Sequence, residues 1–264
     1  MPDILDEIVA RRRKDVEANT VPLEFLKTKY QERSDFRPFH RSLQQKMQHS
    51  GIAAIIAEIK RGSPAKGLFA SNLDPKKTAE DYAHRAACLS VLTEPHYFSG
   101  SLDDLMTARN ACELPILQKD FIVTEYQVWE CAVHADCMLL IARCLEQQQL
   151  ADLHGLATEL KLDILVEVFD EEDIEKTAPF HFPLVGINNR NLRTMDIALE
   201  RSKQLFSRFN SDQTVVAASG IKSRNDIEEL MRAGIGAFLI GEVLSTHRNR
   251  DDFLRELVEG VRRS

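Results

Sequence analysis

No run in this sequence approaches the ~18 apolar residues needed to span a bilayer, and no apolar segment of the signal-peptide kind follows the N-terminus. These absences exclude a bilayer-spanning helix and lead us to expect a cytoplasmic protein with no membrane partner. CxxC spacing is missing too. The five cysteines, Cys88, Cys112, Cys131, Cys137 and Cys144, make an odd count that suits thiols in a reducing compartment better than a disulfide framework. Nor is there a basic excess. With 34 Lys and Arg against 41 Asp and Glu, the net charge is −7, which argues against a nucleic-acid face. The one basic cluster, "RRRK" at 11–14, stands beside Asp15 and Glu17 and reads as a solvated helix face in preference to a polyanion contact. GxGxxG is absent, so nothing announces the first turn of an open dinucleotide-binding sheet. No low-complexity linker divides the chain, so we read one domain.

What is present is a 44% apolar share with 28% charged residues, ordinary for a globular protein with a real core. Residues 1–50 read as a polar helical extension. "ILDEIVARRRKDVE" carries Ile4, Leu5, Ile8 and Val9 at helical spacing up to the break at Val21-Pro22. "FHRSLQQKMQ" forms a second stretch before a break at Gly51. The extension is expected to lie across one end of the structure formed by the rest of the chain.

From residue 51 to 264 the pattern changes to short apolar runs separated by amphipathic helices. The runs are "IAAIIAEIK" (52–60), "CLSVLT" (88–93), "PILQKD" (115–120), "CMLLIA" (137–142), "DILVEV" (163–168), "PLVGIN" (183–188), "TVVAAS" (214–219) and "AFLIG" (237–241). Continuous apolar strands alternating with helices indicate a parallel sheet covered on both faces. Eight such units predict a closed (β/α)₈ TIM barrel, an α/β fold whose site lies at the C-terminal ends of the strands.

Those strand ends are where charge gathers. The first run ends with Glu58 and Lys60, two residues apart and so on one face of a strand. Lys119 ends the third, Glu167 the fifth, Asn188 the sixth with Arg190 beyond, and Ser219 the seventh. Any one of these is readable as a solvated strand end or half of an internal ion pair. As a set they point to proton-transfer chemistry, because burying several charges costs several kcal/mol each unless they are paired or useful. "SGI" (219–221) and "IGE" (240–242) place Gly220 and Gly241 between strand and helix. A left-handed turn alone explains either. At the seventh and eighth strand ends together they suggest a phosphate site, completed by Arg190 and the Gly62–Ser63 turn. "CAVHADC" sets Cys131, His134 and Cys137 three residues apart, but the first two finish a helix and the third starts a strand. With no fourth ligand apparent, no metal is expected.

These segments resemble the indole-3-glycerol phosphate synthase family. "IIAEIKRGSPAKG" is similar to its first-strand signature. "SVLTEPHYFSGSLDDL", "PILQKDFIVTEYQV", "LVEVFDEEDIEKT", "GINNRNLRTMDI" and "SGIKSRNDIEELMRAGIGAFLIGEVL" are similar to its later segments, in order, over roughly residues 50–245. The resemblance implies a carbon–carbon lyase of tryptophan biosynthesis. It would act on 1-(2-carboxyphenylamino)-1-deoxyribulose 5-phosphate by ring closure, loss of CO₂ and loss of water, with neither cofactor nor metal. It further implies Lys119 as general acid in ring closure and Glu167 as general base. Lys60 would bind the substrate carboxylate and serve in the dehydration, and Glu58 and Asn188 would hold lysines and substrate in place. Substrate contacts are implied for Ser63, Phe121, Arg190 and Ser219, and phosphate contacts for Gly220, Gly241 and Glu242. Phe121 is expected to pack on the anthranilate ring, with core packing as the alternative. A phosphorylated small molecule is the partner expected, on a monomer or weak homodimer.

Two positions depart from the family pattern. Ala218 stands where the family usually has glutamate before Ser-Gly, and Ser99 where it often has Asn or Gln. Activity is still the favoured expectation. The alternatives are a barrel acting on another phosphorylated aminosugar, or a phosphosugar-binding paralogue with altered or lost catalysis.

Overall fold

In the computed structural model, residues 4–50 and 52–259 are described, so the Gly51 break and the outermost termini lie outside the described residues. Three helices come first: α1 (Ile4–Glu17), α2 (Leu23–Glu32) and α3 (Phe39–Ser50). Strand β1 (Ala54–Ile59) leads into a small hairpin of β2 (Gly62–Ser63) and β3 (Gly67–Leu68). The chain then alternates: α4 (Pro75–Ala83), β4 (Cys88–Leu92), α5 (Leu102–Ala111), β5 (Ile116–Lys119), α6 (Glu125–His134) and β6 (Cys137–Ile141). After a 3₁₀ turn come α7 (Gln147–Glu159), β7 (Asp163–Val168), α8 (Glu171–Thr177), β8 (Leu184–Asn188), α9 (Glu200–Phe206) and β9 (Thr214–Ala218). The series ends with α10 (Arg224–Arg232), β10 (Ala237–Ile240), α11 (Glu242–Thr246) and α12 (Arg250–Val258).

The eight apolar runs are the eight strands of a closed parallel barrel ordered β1-β10-β9-β8-β7-β6-β5-β4. Closure falls between the first and last strands, where Ala54 pairs with Ala237 and Ala57 with Ile240. Several helices start at side-chain caps that satisfy free N–H groups. Ser101, Thr124 and Asp170 each accept from the backbone three residues on, and Ser223 and Asp226 form a reciprocal capping box. Alternation along the strands divides the core. Ile55, Leu89, Val166 and Phe238 pack outward against the helices. Ile56, Leu117, Leu139, Leu165, Val216 and Leu239 fill the barrel interior.

The N-terminal extension covers more than the one end expected of it. Helix α1 lies at the C-terminal mouth, where buried Arg12 donates two 2.9 Å hydrogen bonds to Asp120, the residue after β5. Helix α2 runs down the side against α6, with Tyr30 Oη donating to the carbonyl of Leu160 at 2.6 Å. Helix α3 closes the opposite end. There the His40 N–H donates to Asp163 at the start of β7, and its ring meets Thr214 at the start of β9. Phe39 and Leu43 are fully buried beneath the strands. The solvated-face reading of 11–14 therefore fails at Arg12, which is one helical turn beyond buried Ile8 on the face that carries Leu5.

Candidate active site

At the C-terminal mouth of the barrel lies a cavity of about 200 Å³. All twelve residues singled out from the sequence line it: Glu58, Lys60, Ser63, Lys119, Phe121, Glu167, Asn188, Arg190, Ser219, Gly220, Gly241 and Glu242. Parallel strands bring them together, since residues at equal height on neighbouring strands end on one rim. Lys119 is level with Leu92, Glu167 with Ile141 and Gly186, and Asn188 with Ala218.

Two lysine–carboxylate pairs dominate the interior. Lys60 Nζ is 2.5 Å from Glu58 Oε1, with the carboxylate almost wholly buried. Across the cavity Lys119 Nζ is 3.8 Å from Glu167 Oε2, which leaves the pair short of a close hydrogen bond. The other oxygen of Glu167 accepts a 2.9 Å hydrogen bond from Asn188 Nδ2, and Asn188 Oδ1 accepts from the Arg190 backbone N–H. The carboxylate is therefore fixed on one side and open on the other. An ammonium and a carboxylate aimed into one cavity are equipped to give and take protons on a bound substrate.

Glycine at 241 has a steric cause. A Cβ there would fall 2.1 Å from Glu58 Oε1, so only glycine lets the first strand's carboxylate lie against the last strand's end. Its φ is −125°, which rules out the left-handed turn offered for it from sequence. Gly220, in contrast, has φ +85° and follows Ser219 at +67°. Ile197 covers that turn so closely that a Cβ on Gly220 would meet its Cγ2 at 2.4 Å.

Sequence reading missed part of the lining. Leu139 and Ile141 project inward from β6, Phe98 tilts against Phe121 with ring centroids 6.0 Å apart, and Leu5 and Ile8 reach over from α1. The alternation within "CMLLIA" and the spacing of Leu5 and Ile8 were the available signals. Lys66 and Lys222 join Arg190 on a cationic rim. Behind Lys119, Asp120 receives Arg12 and a 2.6 Å hydrogen bond from Thr93 Oγ1. Burial works to lower the pKa of Arg12, but the charge and hydrogen bonds of Asp120, helped by Asp15, raise it overall. Ala218 presents only a methyl group, in the apolar inner cluster with Leu139 and Leu239. Among the described residues, no group of three or more His, Cys, Asp or Glu side chains is placed to hold a metal, and no helix is long and apolar enough to cross a membrane. Cys131 Sγ instead donates to the carbonyl of Cys137.

A sequence model described as indole-3-glycerol phosphate synthase matches residues 5–257. Curated relatives carrying that name include one from Desulfosudis oleivorans, 47% identical over 98% of this chain and 99% of its own. Another, from Laribacter hongkongensis, is 42% identical over 92% of this chain and 94% of its own. Among solved structures, 3-hexulose-6-phosphate synthase from Salmonella typhimurium superposes with a TM-score of 0.61 at 7% identity, covering 77% of this chain and 96% of that one. Thiamine phosphate pyrophosphorylase from Pyrococcus furiosus gives 0.57 at 13%, covering 78% and 94%. At such identities these two likenesses concern the fold alone.

Proposed function

The chain belongs to the indole-3-glycerol phosphate synthase family, and from that premise we propose how its residues divide the family's reaction. The activity is that of a carboxy-lyase of tryptophan biosynthesis. It converts 1-(2-carboxyphenylamino)-1-deoxyribulose 5-phosphate into indole-3-glycerol phosphate.

In our assignment Lys119 is the general acid of ring closure. As the aryl carbon bonds to the ketose carbonyl carbon, the carbonyl oxygen takes a proton from the Lys119 ammonium. The C–CO₂ bond then breaks, and its electron pair restores the aromatic ring. Loss of water comes next: the new hydroxyl leaves with a proton from Lys60, and Glu167 accepts the proton given up by the ring system. The observation that carries this reading is the open 3.8 Å approach of Lys119 to Glu167 across the cavity, with Asn188 holding the far oxygen of the carboxylate. Tied to Glu58, Lys60 holds a fixed positive charge for the substrate carboxylate before it serves in the elimination. Phe121, Phe98, Leu139 and Ile141 make the apolar wall for the aromatic ring. Arg190, Ser219, Gly220 and Gly241 hold the phosphate end. For Glu242 we assign the backbone to that end, since its carboxylate would repel the ligand. Proton transfers of this kind are worth ~10²–10⁴ in rate each, and orientation in the enclosed mouth adds to that. The five free cysteines support placing the enzyme in the reducing cytoplasm, as a monomer or weak homodimer.

Purified protein incubated with the substrate and followed by indole fluorescence tests this directly. Turnover that falls by orders of magnitude in Lys119→Ala, with substrate still bound, is the expected result. Binding without turnover in the unmodified chain would sink the assignment. Recovery on Ala218→Glu would then trace the failure to that position.

A further inference from the structure

The hairpin after β1 is anchored at its base and engaged at its tip. At the base, the Arg61 guanidinium donates to both oxygens of Asp104, at 2.9 and 3.0 Å, and to the carbonyl of Leu73 at 2.6 Å. The Arg61 carbonyl accepts from the N–H groups of Phe69 and Ala70. Between these anchors the turn Pro64-Ala65-Lys66 projects over the cavity. Gly67, at φ +62°, turns the chain back. At the tip, Lys66 Nζ reaches the far rim and lies 2.6 Å from Glu242 Oε1, beside Gly241. Ser63, on the same hairpin, holds its buried Oγ in the cavity lining without a protein partner.

Glu242 shares the cavity rim with Lys66, Arg190 and Lys222. Burial acts to raise its pKa, yet the hydrogen bond and charge of Lys66, with the fields of Lys60 and Arg190, outweigh burial and hold it low. A carboxylate among cations, at the end where a phosphate is to be received, occupies the electrostatic place of that phosphate.

We propose that Lys66 is a substrate-phosphate ligand held in reserve on Glu242, whose carboxylate stands in for the phosphate until the substrate arrives. This rests on the placement of the phosphate beside Gly220 and Gly241. An incoming phosphate repels the Glu242 carboxylate and offers Lys66 a more highly charged partner. The lysine then changes anions and draws the hairpin, with the Ser63 hydroxyl, onto the substrate. The Lys66 side chain is more than half exposed and that of Glu242 a quarter exposed. The exchange is therefore between weak, solvent-screened interactions and is expected to alter binding several-fold.

The test uses inorganic phosphate as a competitive inhibitor of turnover. In the unmodified enzyme phosphate is expected to compete with substrate. Lys66→Ala should weaken phosphate inhibition and raise KM about three- to ten-fold, and Lys66→Arg should restore both. Glu242→Gln should have the opposite sign and tighten phosphate by a similar factor. In the double variant Lys66→Ala/Glu242→Gln that gain should largely vanish, since no lysine remains to be released. Unchanged inhibition in Lys66→Ala, or a full Glu242→Gln gain without Lys66, overturns the proposal while leaving the phosphate placement intact. If phosphate fails to compete in the unmodified enzyme, the placement itself falls and takes the role of Lys66 with it.

Discussion

The two ends of the barrel both hold buried charge, and they treat it differently. At the N-terminal end, Asp136 is saturated. It accepts from Arg33 at 2.7 Å, Arg109 at 2.5 Å, and the backbone N–H groups of Arg37 and Ile116 at 3.1 and 3.0 Å. Each Asp136 oxygen thus accepts two hydrogen bonds. Arg33 and Arg37 also donate to carbonyls of α6 and of the turn after α5, and Arg33 Nε donates to Asp35. At the C-terminal mouth Asp120 is as fully bonded as Asp136, with Arg12 and Thr93 as its donors, but Glu167 is only partly satisfied: it is held on one oxygen and stands off from Lys119. Saturated buried charge fixes a fold, because each desolvated group is repaid by hydrogen bonds. Charge left partly unpaired in a cavity keeps its capacity for a substrate. Hydrogen-bond completeness, more than burial, separates Asp136 and Asp120 from Glu167.

The strongest way to break this comparison is Lys119→Ala. Turnover should fall about 10²–10⁴-fold with the unfolding midpoint unchanged, and steady-state kinetics beside urea unfolding would show it. A large stability loss in that variant would mean the mouth is structural after all. Asp136→Asn is the mirror experiment. It should lower stability by about 3–5 kcal/mol in denaturant unfolding while kcat per folded molecule stays unchanged. Next is Gly241→Ala. Its Cβ would displace the Glu58 carboxylate, and a misplacement of about 1 Å is worth about 10²-fold in rate.

The smallest expected effect sharpens the structural side. Burial lowers the pKa of His40, against the pull of Asp163, so the folded state favours the neutral ring. That contribution is fully present above the ordinary histidine range near 6.5 and is lost as pH falls through it towards the lower folded value. Stability measured on either side of that range should drop on acidification, and less so in His40→Gln.

Much of this was legible in the sequence because parallel barrel strands are buried on both faces and leave uninterrupted apolar runs. The charged residues ending those runs share a rim as soon as the barrel closes. Other features had no such signal. The hairpin of β2 and β3 has two residues per strand, too short for any period to register. Arg12 looked solvated within "RRRK", because a charged residue announces its burial only through its partner, and Asp120 is far away in the chain. Its spacing from Leu5 and Ile8 was the clue. The extension reaches both ends because α2 spans the side, and the helical spacing of Leu23, Leu26 and Tyr30 was the signal for it. The cause of glycine at 241 lay in Glu58, on the strand with which the barrel closes.

The contact between Glu58 and Gly241 also has a meaning in time. A chain emerging from the ribosome as far as β9 already carries both lysines and both glutamates. Strands β1 and β9 are then still open edges, templates for mispairing with other chains. Only when β10 inserts between them does the carboxylate of residue 58 gain the wall against which it rests. Enzymatic competence is thus a property of the finished polypeptide. The step that completes the cavity floor is also the step that removes the last open strand edges, so translation delivers safety and a finished cavity together.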